Sequence, residues 1–243
     1  INKIMAIPDG TKFHGVAPSV DTKNRGSEQA NAMRDVYTYP DDFGTGIFEE
    51  GSGASGSTQR VGSSNVASGS FSTVSGGNTN TADSTYVTVA GGVQNTASGV
   101  ATAIGGGITN TALGGNSTIA GGYENTTTLS ALRGTVSGGY QNTAGGVHTT
   151  VAGGYLNTAS GGNSTVGGGD TNTASAALSS ILGGTSNSTS TFQNSHIVGS
   201  NITSDRDDCA FVENLSIKSI PTSATGLPSG SIWSNAGVLN IVP

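Results

Sequence analysis

The sequence predicts an all-β protein. Its expected form is a parallel β-solenoid (β-roll or β-helix) of about nine 15-residue coils, closed by small N- and C-terminal caps. Three observations predict it. Asn recurs at Asn65, Asn80, Asn95, Asn110, Asn125, Asn142, Asn157, Asn172 and Asn187, in steps of 15 with a single step of 17. A Gly-Gly pair follows in each of the first eight units, from Gly76-Gly77 to Gly183-Gly184. The composition is also poor in core residues. It is 10% charged, against about 25% in an ordinary domain, and its 40 Gly in 243 residues stand beside only 33% hydrophobic side chains.

The array comes first, because register over nine units separates a repeat fold from a flexible low-complexity chain. Fifteen residues are too few for two helices and their turns, but they make two short strands and two tight turns. Gly pairs and β-branched residues suit strands and turns better than helices. Coils stack about 4.8 Å apart, so the array would be a rod of about 43 Å. Each unit places a β-branched residue at one position: Val74, Val89, Ile104, Ile119, Val136, Val151, Val166, Ile181 and Ile197. Identical residues then stack into ladders. The Asn column can hydrogen-bond to itself, and the glycines suit positive φ or close approach.

One aliphatic residue per coil, with a small Ala, is a thin core. Burying a Val contributes about 1.5–3 kcal/mol, while ordering 15 residues costs roughly 15–30 kcal/mol. That arithmetic predicts several chains sharing a core, most simply a homotrimer. A monomer with a narrow Ala/Val interior is the alternative.

Units such as Asn157-Thr-Ala-Ser-Gly-Gly-Asn-Ser-Thr-Val-Gly-Gly-Gly169 resemble the head repeats of trimeric autotransporter adhesins. The resemblance implies left-handed parallel β-rolls that associate as trimers. It covers residues 65–202. The sequence shows no heptad stalk and no C-terminal anchor barrel beside these repeats.

The flanks divide the rest into an attachment or cap region (1–50), a Gly/Ser linker (51–64) and a β-rich C-terminal cap (203–243). In the first, residues 20–40 read as a loop or short helix leading into a strand at Val36–Tyr39. They resemble N-terminal segments of tail-fibre-like proteins of marine bacteriophages. In the last, Ser231–Val242 reads as a hairpin turning at Asn235-Ala-Gly237, with Trp233 as its anchor. The string Gly226-Leu-Pro-Ser-Gly-Ser-Ile-Trp, followed by Gly237-Val-Leu-Asn-Ile-Val, is similar to the ends of many phage and viral structural proteins. Together these resemblances imply a structural fibre or appendage subunit of a virion, docked through its N-terminal region and touching a host glycan or protein. A bacterial surface adhesin or extracellular filament subunit is the alternative.

The chemistry of the chain points the same way. No run approaches 18 apolar residues, so no membrane-spanning helix is expected. Ile1 to Gly10 holds no apolar signal stretch. A net charge of −6 without a basic run speaks against nucleic acid. The array carries only Asp83, Glu124, Arg133, His148, Asp170 and His196 as ionisable groups besides tyrosines, at what read as different repeat positions. No carboxylate pair emerges, so no enzyme, cofactor or metal is expected. Asp205, Asp207 and Asp208 read as a solvated acidic cap, since the EF-hand Gly and distal Glu are missing.

The candidate receptor contacts are Tyr123, Tyr140 and Tyr155, which follow three successive Gly-Gly pairs, and Arg133 in the insertion at 129–134. A stacked ladder that steadies the coils is the plain reading of the tyrosines. Two Thr columns lie seven positions apart, hence on different faces, which counts against a flat ice-binding plane.

Overall fold

The computed structural model describes residues 48–50, 57–60, 64–216 and 220–242. The expected strand at 36–39 lies outside them. Among the described residues there is no helix, and the chain winds as a parallel β-solenoid.

Two ladders of very short strands run its length. The first pairs Thr58–Arg60, Thr73–Val74 and Thr88–Val89 in parallel and continues coil by coil to Ala210–Val212. Its N-terminal edge is covered by Phe48–Glu50, which runs antiparallel to Thr58–Arg60. The second ladder has eight strands, from Val66–Ala67 to Thr173–Ala174. Alternation places one residue of each strand outside and the next inside. Thus Thr150 is half-buried and Val151 fully buried. The two expected Thr columns fall on these two different ladders.

A third line of pairing was not expected. Single-residue bridges link Asn78, Val93, Ile108, Tyr123, Tyr140, Tyr155, Asp170 and Thr185 in turn. The segment after each Gly-Gly pair is therefore part of the hydrogen-bonded wall.

The solenoid also outruns its expected limits. Thr58–Arg60, assigned to a linker, is a strand of the first ladder. Ala210–Val212, assigned to the cap, pairs in parallel with His196–Val198. Neither continues the Gly-Gly motif, so the repeat consensus stops before the backbone pairing does.

Inside, a Val/Ile column faces an Ala column, and both are buried within one chain. Between them sit small hydroxyls such as Ser72, Thr102 and Thr149, whose Oγ atoms donate to Gly69, Gly99 and Gly146 carbonyls at 2.7–2.8 Å. Among the described residues no buried side-chain nitrogen or oxygen lacks a partner. The interior itself therefore requires no second chain, and the shared-core argument for a trimer loses its premise.

The Asn ladder seals one corner. Asn95 Nδ2 donates to Asn80 Oδ1 (3.1 Å), to Gly91 O (3.0 Å) and to Gly107 O (2.9 Å). Each Asn thus ties its own coil to the one before and the one after. The second glycine of each pair is fixed by this contact. Gly92 has φ +90°, and a Cβ there would meet Gly107 O at 2.1 Å and Asn95 Nδ2 at 2.6 Å. Two further residues per regular coil also adopt positive φ without being glycine, for example Tyr86 (φ 61°) and Gln94 (φ 57°). Their N–H groups donate to Ser70 O and Asn78 O of the preceding coil at 3.0 Å, which holds the turns in place.

The C-terminal end is closed by substitution within the columns. Ile202 follows Asn187 where the next Asn would stand, and its N–H still donates to Asn187 Oδ1 at 3.0 Å. Phe211 pairs with Ile197 and packs on the end of the Val/Ile column. Trp233, expected to anchor the C-terminal cap, belongs to a two-stranded sheet apart from the two ladders. It lies half-buried in the separate hairpin Ile232–Asn235/Val238–Ile241, opposite Asn240. That hairpin turns through Ala236 and Gly237, as the sequence indicates.

Candidate contact surface

Tyr123, Tyr140 and Tyr155 follow their Gly-Gly pairs and bridge one another directly, so the pitch of the coil sets the spacing of their rings. The Tyr123 and Tyr140 centroids are 5.1 Å apart with planes 9° apart. For Tyr140 and Tyr155 the values are 5.2 Å and 20°. Ring faces are thus turned toward each other along the rod, and solvent meets mainly edges and hydroxyls. Stacking of a flat ligand on a ring face is therefore available only at the ends of the column.

Glu124 stands beside this row. Its carboxylate accepts a hydrogen bond from Gln141 Nε2 in the next coil. Hydrogen bonding to the neighbouring Glu124 carboxylate, with its negative charge, raises the Tyr123 pKa above the ordinary tyrosine value. The row is bounded by Asp170, next in line after Tyr155.

Arg133 is not an isolated charge on a loop. The two-residue insertion brings it into the same turn position as His148, 15 residues on. Arg133 Nη1 donates to His148 Nε2 at 2.9 Å, so His148 Nδ1 carries the proton and donates to Asn163 Oδ1 at 3.2 Å. This corrects the reading that every ionisable group projects from a different place. The fifteen-residue step between Arg133 and His148 was the signal that would have found it. The same step links Phe71 and Tyr86, a second stacked pair (5.4 Å, 10°) that the sequence reading missed. In the insertion Leu129 is strongly exposed, whereas Ala131 is buried.

The acidic run near the C-terminal end is spent on local bonds. Asp207 Oδ1 accepts from Gln193 N at 2.7 Å and Asp208 Oδ1 from Asn194 Nδ2 at 2.8 Å. Asp205 pairs with Arg206 at 2.7 Å, and the guanidinium holds its carboxyl below the usual aspartate range. His196 bonds Ser180 Oγ and Asn194 Oδ1 at 2.7 and 3.1 Å. These arrangements order turns and neighbouring coils. Among the described residues, no three His, Cys, Asp or Glu side chains group as metal ligands would, and no helix is long and apolar enough to cross a membrane.

No protein-family model matches the chain, and no curated protein matches it. The solenoid and its exposed rows therefore define the class of protein: a β-solenoid repeat protein with side chains arrayed once per coil.

Proposed function

We propose that the chain is a structural subunit of a fibre or appendage, a homotrimeric rod carried on a phage-like virion. Its outer side would contact the host surface. The observation that carries this reading is the rod itself. Coil after coil is closed by its own Asn and Val/Ile ladders, while the outside presents repeated rows rather than a convergent pocket. Such a body supplies length and a repeated contact. The viral setting is supported by the resemblance of the two flanks to tail-fibre-like and other viral structural proteins. A bacterial adhesin uses the same kind of coil and is the second reading.

Light scattering with small-angle X-ray scattering tests the rod. The expected result is an elongated particle of about three chains of 23.9 kDa. A compact single chain would overturn the fibre. The gene neighbourhood then separates the two settings: capsid and tail genes support the virion, and secretion genes the adhesin.

A further inference from the structure

After each Gly-Gly pair, five successive coils expose an apolar or aromatic side chain: Val93, Ile108, Tyr123, Tyr140 and Tyr155, each 38 to 45% exposed. No described residue covers this row. Immediately beside it runs the first glycine of each pair. The coil needs the second glycine, as shown above, but not the first in every unit. A Cβ at Gly91 or Gly121 would meet nothing closer than 4.0 Å, and neither backbone lies in the left-handed region. Interior packing therefore gives no reason for the absence of a side chain at those two positions.

We propose that the row seats against a second copy of this chain, the edges of one rod lying along the bare glycine backbone of the next. The axial period argues for that occupant. The rings consume each other's faces at 5.1 and 5.2 Å, so an approaching surface meets edges and hydroxyls once per coil. A surface that engages all five must share the coil spacing, and an identical rod does. Charge allows the contact although the chain carries a net −6. Among the described residues, Glu124 follows Tyr123 in the chain and Asp170 bridges to Tyr155, and Glu124 is already engaged by Gln141. Row and glycine strip are different patches, so a contact made once between two rods is heterologous, and it closes into a ring where the rotation between rods closes. This deepens the fibre reading, and it rests on that reading for the number of chains.

Sedimentation and far-UV circular dichroism test the seam with three variants. Gly121→Phe adds bulk to the strip where the fold has room. Tyr140→Ser removes one ring from the row. Ser160→Phe adds the same bulk at an exposed position outside the seam. The expected result is a wild-type multimer and at least tenfold weaker association for Gly121→Phe and Tyr140→Ser. Their β signal stays unchanged, and Ser160→Phe behaves as wild type. Should Gly121→Phe misfold, Tyr140→Ser carries the test, because Tyr140 lies outside the interior. A rod-shaped multimer indifferent to both seam variants overturns the seam and leaves the fibre reading standing. A wild type that stays monomeric at high concentration overturns both.

Discussion

Asn157 grips Asn142 twice: its backbone N–H and its side-chain Nδ2 both donate to Asn142 Oδ1, at 3.0 and 3.2 Å. Asn142 in turn donates from Nδ2 to Gly138 O and Gly154 O, both at 2.9 Å. One buried amide thus serves three coils. No shorter, longer or purely accepting side chain supplies that set.

Replacing Asn142 with Ala should therefore destabilise the middle of the rod by several kcal/mol, since each buried group left unpaired costs about 1–3 kcal/mol. Thermal melting measures it. A melting point within a degree or two of wild type would show that water replaces the amide.

Asn142→Asp should add a pH dependence. The carboxylate would face the Gly138 and Gly154 carbonyls in a buried site, which raises its folded pKa above the unfolded value. Stability is then retained at acid pH. It is lost as pH rises from the ordinary carboxyl range through the raised folded value. Melting points across pH check this, and a pH-independent deficit against wild type would contradict it.

The first and second glycines of the Gly-Gly turns should respond differently to alanine. Gly139→Ala puts a Cβ at φ +88° and within 2.3 Å of Gly154 O. A left-handed non-glycine residue alone costs about 1–2 kcal/mol, and the clash adds to it. Gly121→Ala meets nothing closer than 4.0 Å and should be close to neutral for the folded single chain. Denaturant unfolding of both variants at low protein concentration compares them, and equal losses would refute the assignment of roles.

Tyr123 should ionise at higher pH than a free tyrosine, because Glu124 accepts from the neutral phenol and repels the phenolate. The stabilisation from this bond is present below the tyrosine range and is lost as pH rises through the raised value. Near-UV absorbance titration of wild type minus Tyr123→Phe reads the group. Glu124→Gln should bring it back down, and an unchanged titration in that variant would remove Glu124 as the cause.

Phe211→Ser should loosen the C-terminal coils without disturbing the middle of the rod, because stacked repeats depend chiefly on their neighbours. Amide hydrogen exchange should show faster exchange at 196–212 and unchanged protection near Val136 and Val151. Uniform loss along the rod would mean that Phe211 is no end cap.

The solenoid could be read from residue spacing alone. A coil that returns every 15 residues puts Asn on Asn and Val on Val, so the period already states which residues meet. The same logic placed Tyr123, Tyr140 and Tyr155 in one column. It would also have placed Arg133 on His148 and Phe71 on Tyr86, had the step been applied beyond the consensus positions. The limits of the rod were harder to read. Thr58–Arg60 and Ala210–Val212 join through backbone hydrogen bonds, which any side chain can accompany, so they leave no consensus to recognise.

What the sequence by itself determined is the repeat, the coil length and the identity of the ladders, because these are matters of register along the chain. Only the tertiary structure decided that the interior closes within a single chain. It alone showed that the tyrosines turn their edges outward, and that Ile202 and Phe211 stand at the end of the columns. Those outcomes depend on how the turns fold each coil back onto its neighbours. The turns include left-handed residues such as Tyr86 and Gln94, whose own preference is against that conformation. They are held there by hydrogen bonds that their N–H groups donate to the preceding coil, which exist only once the coils are stacked.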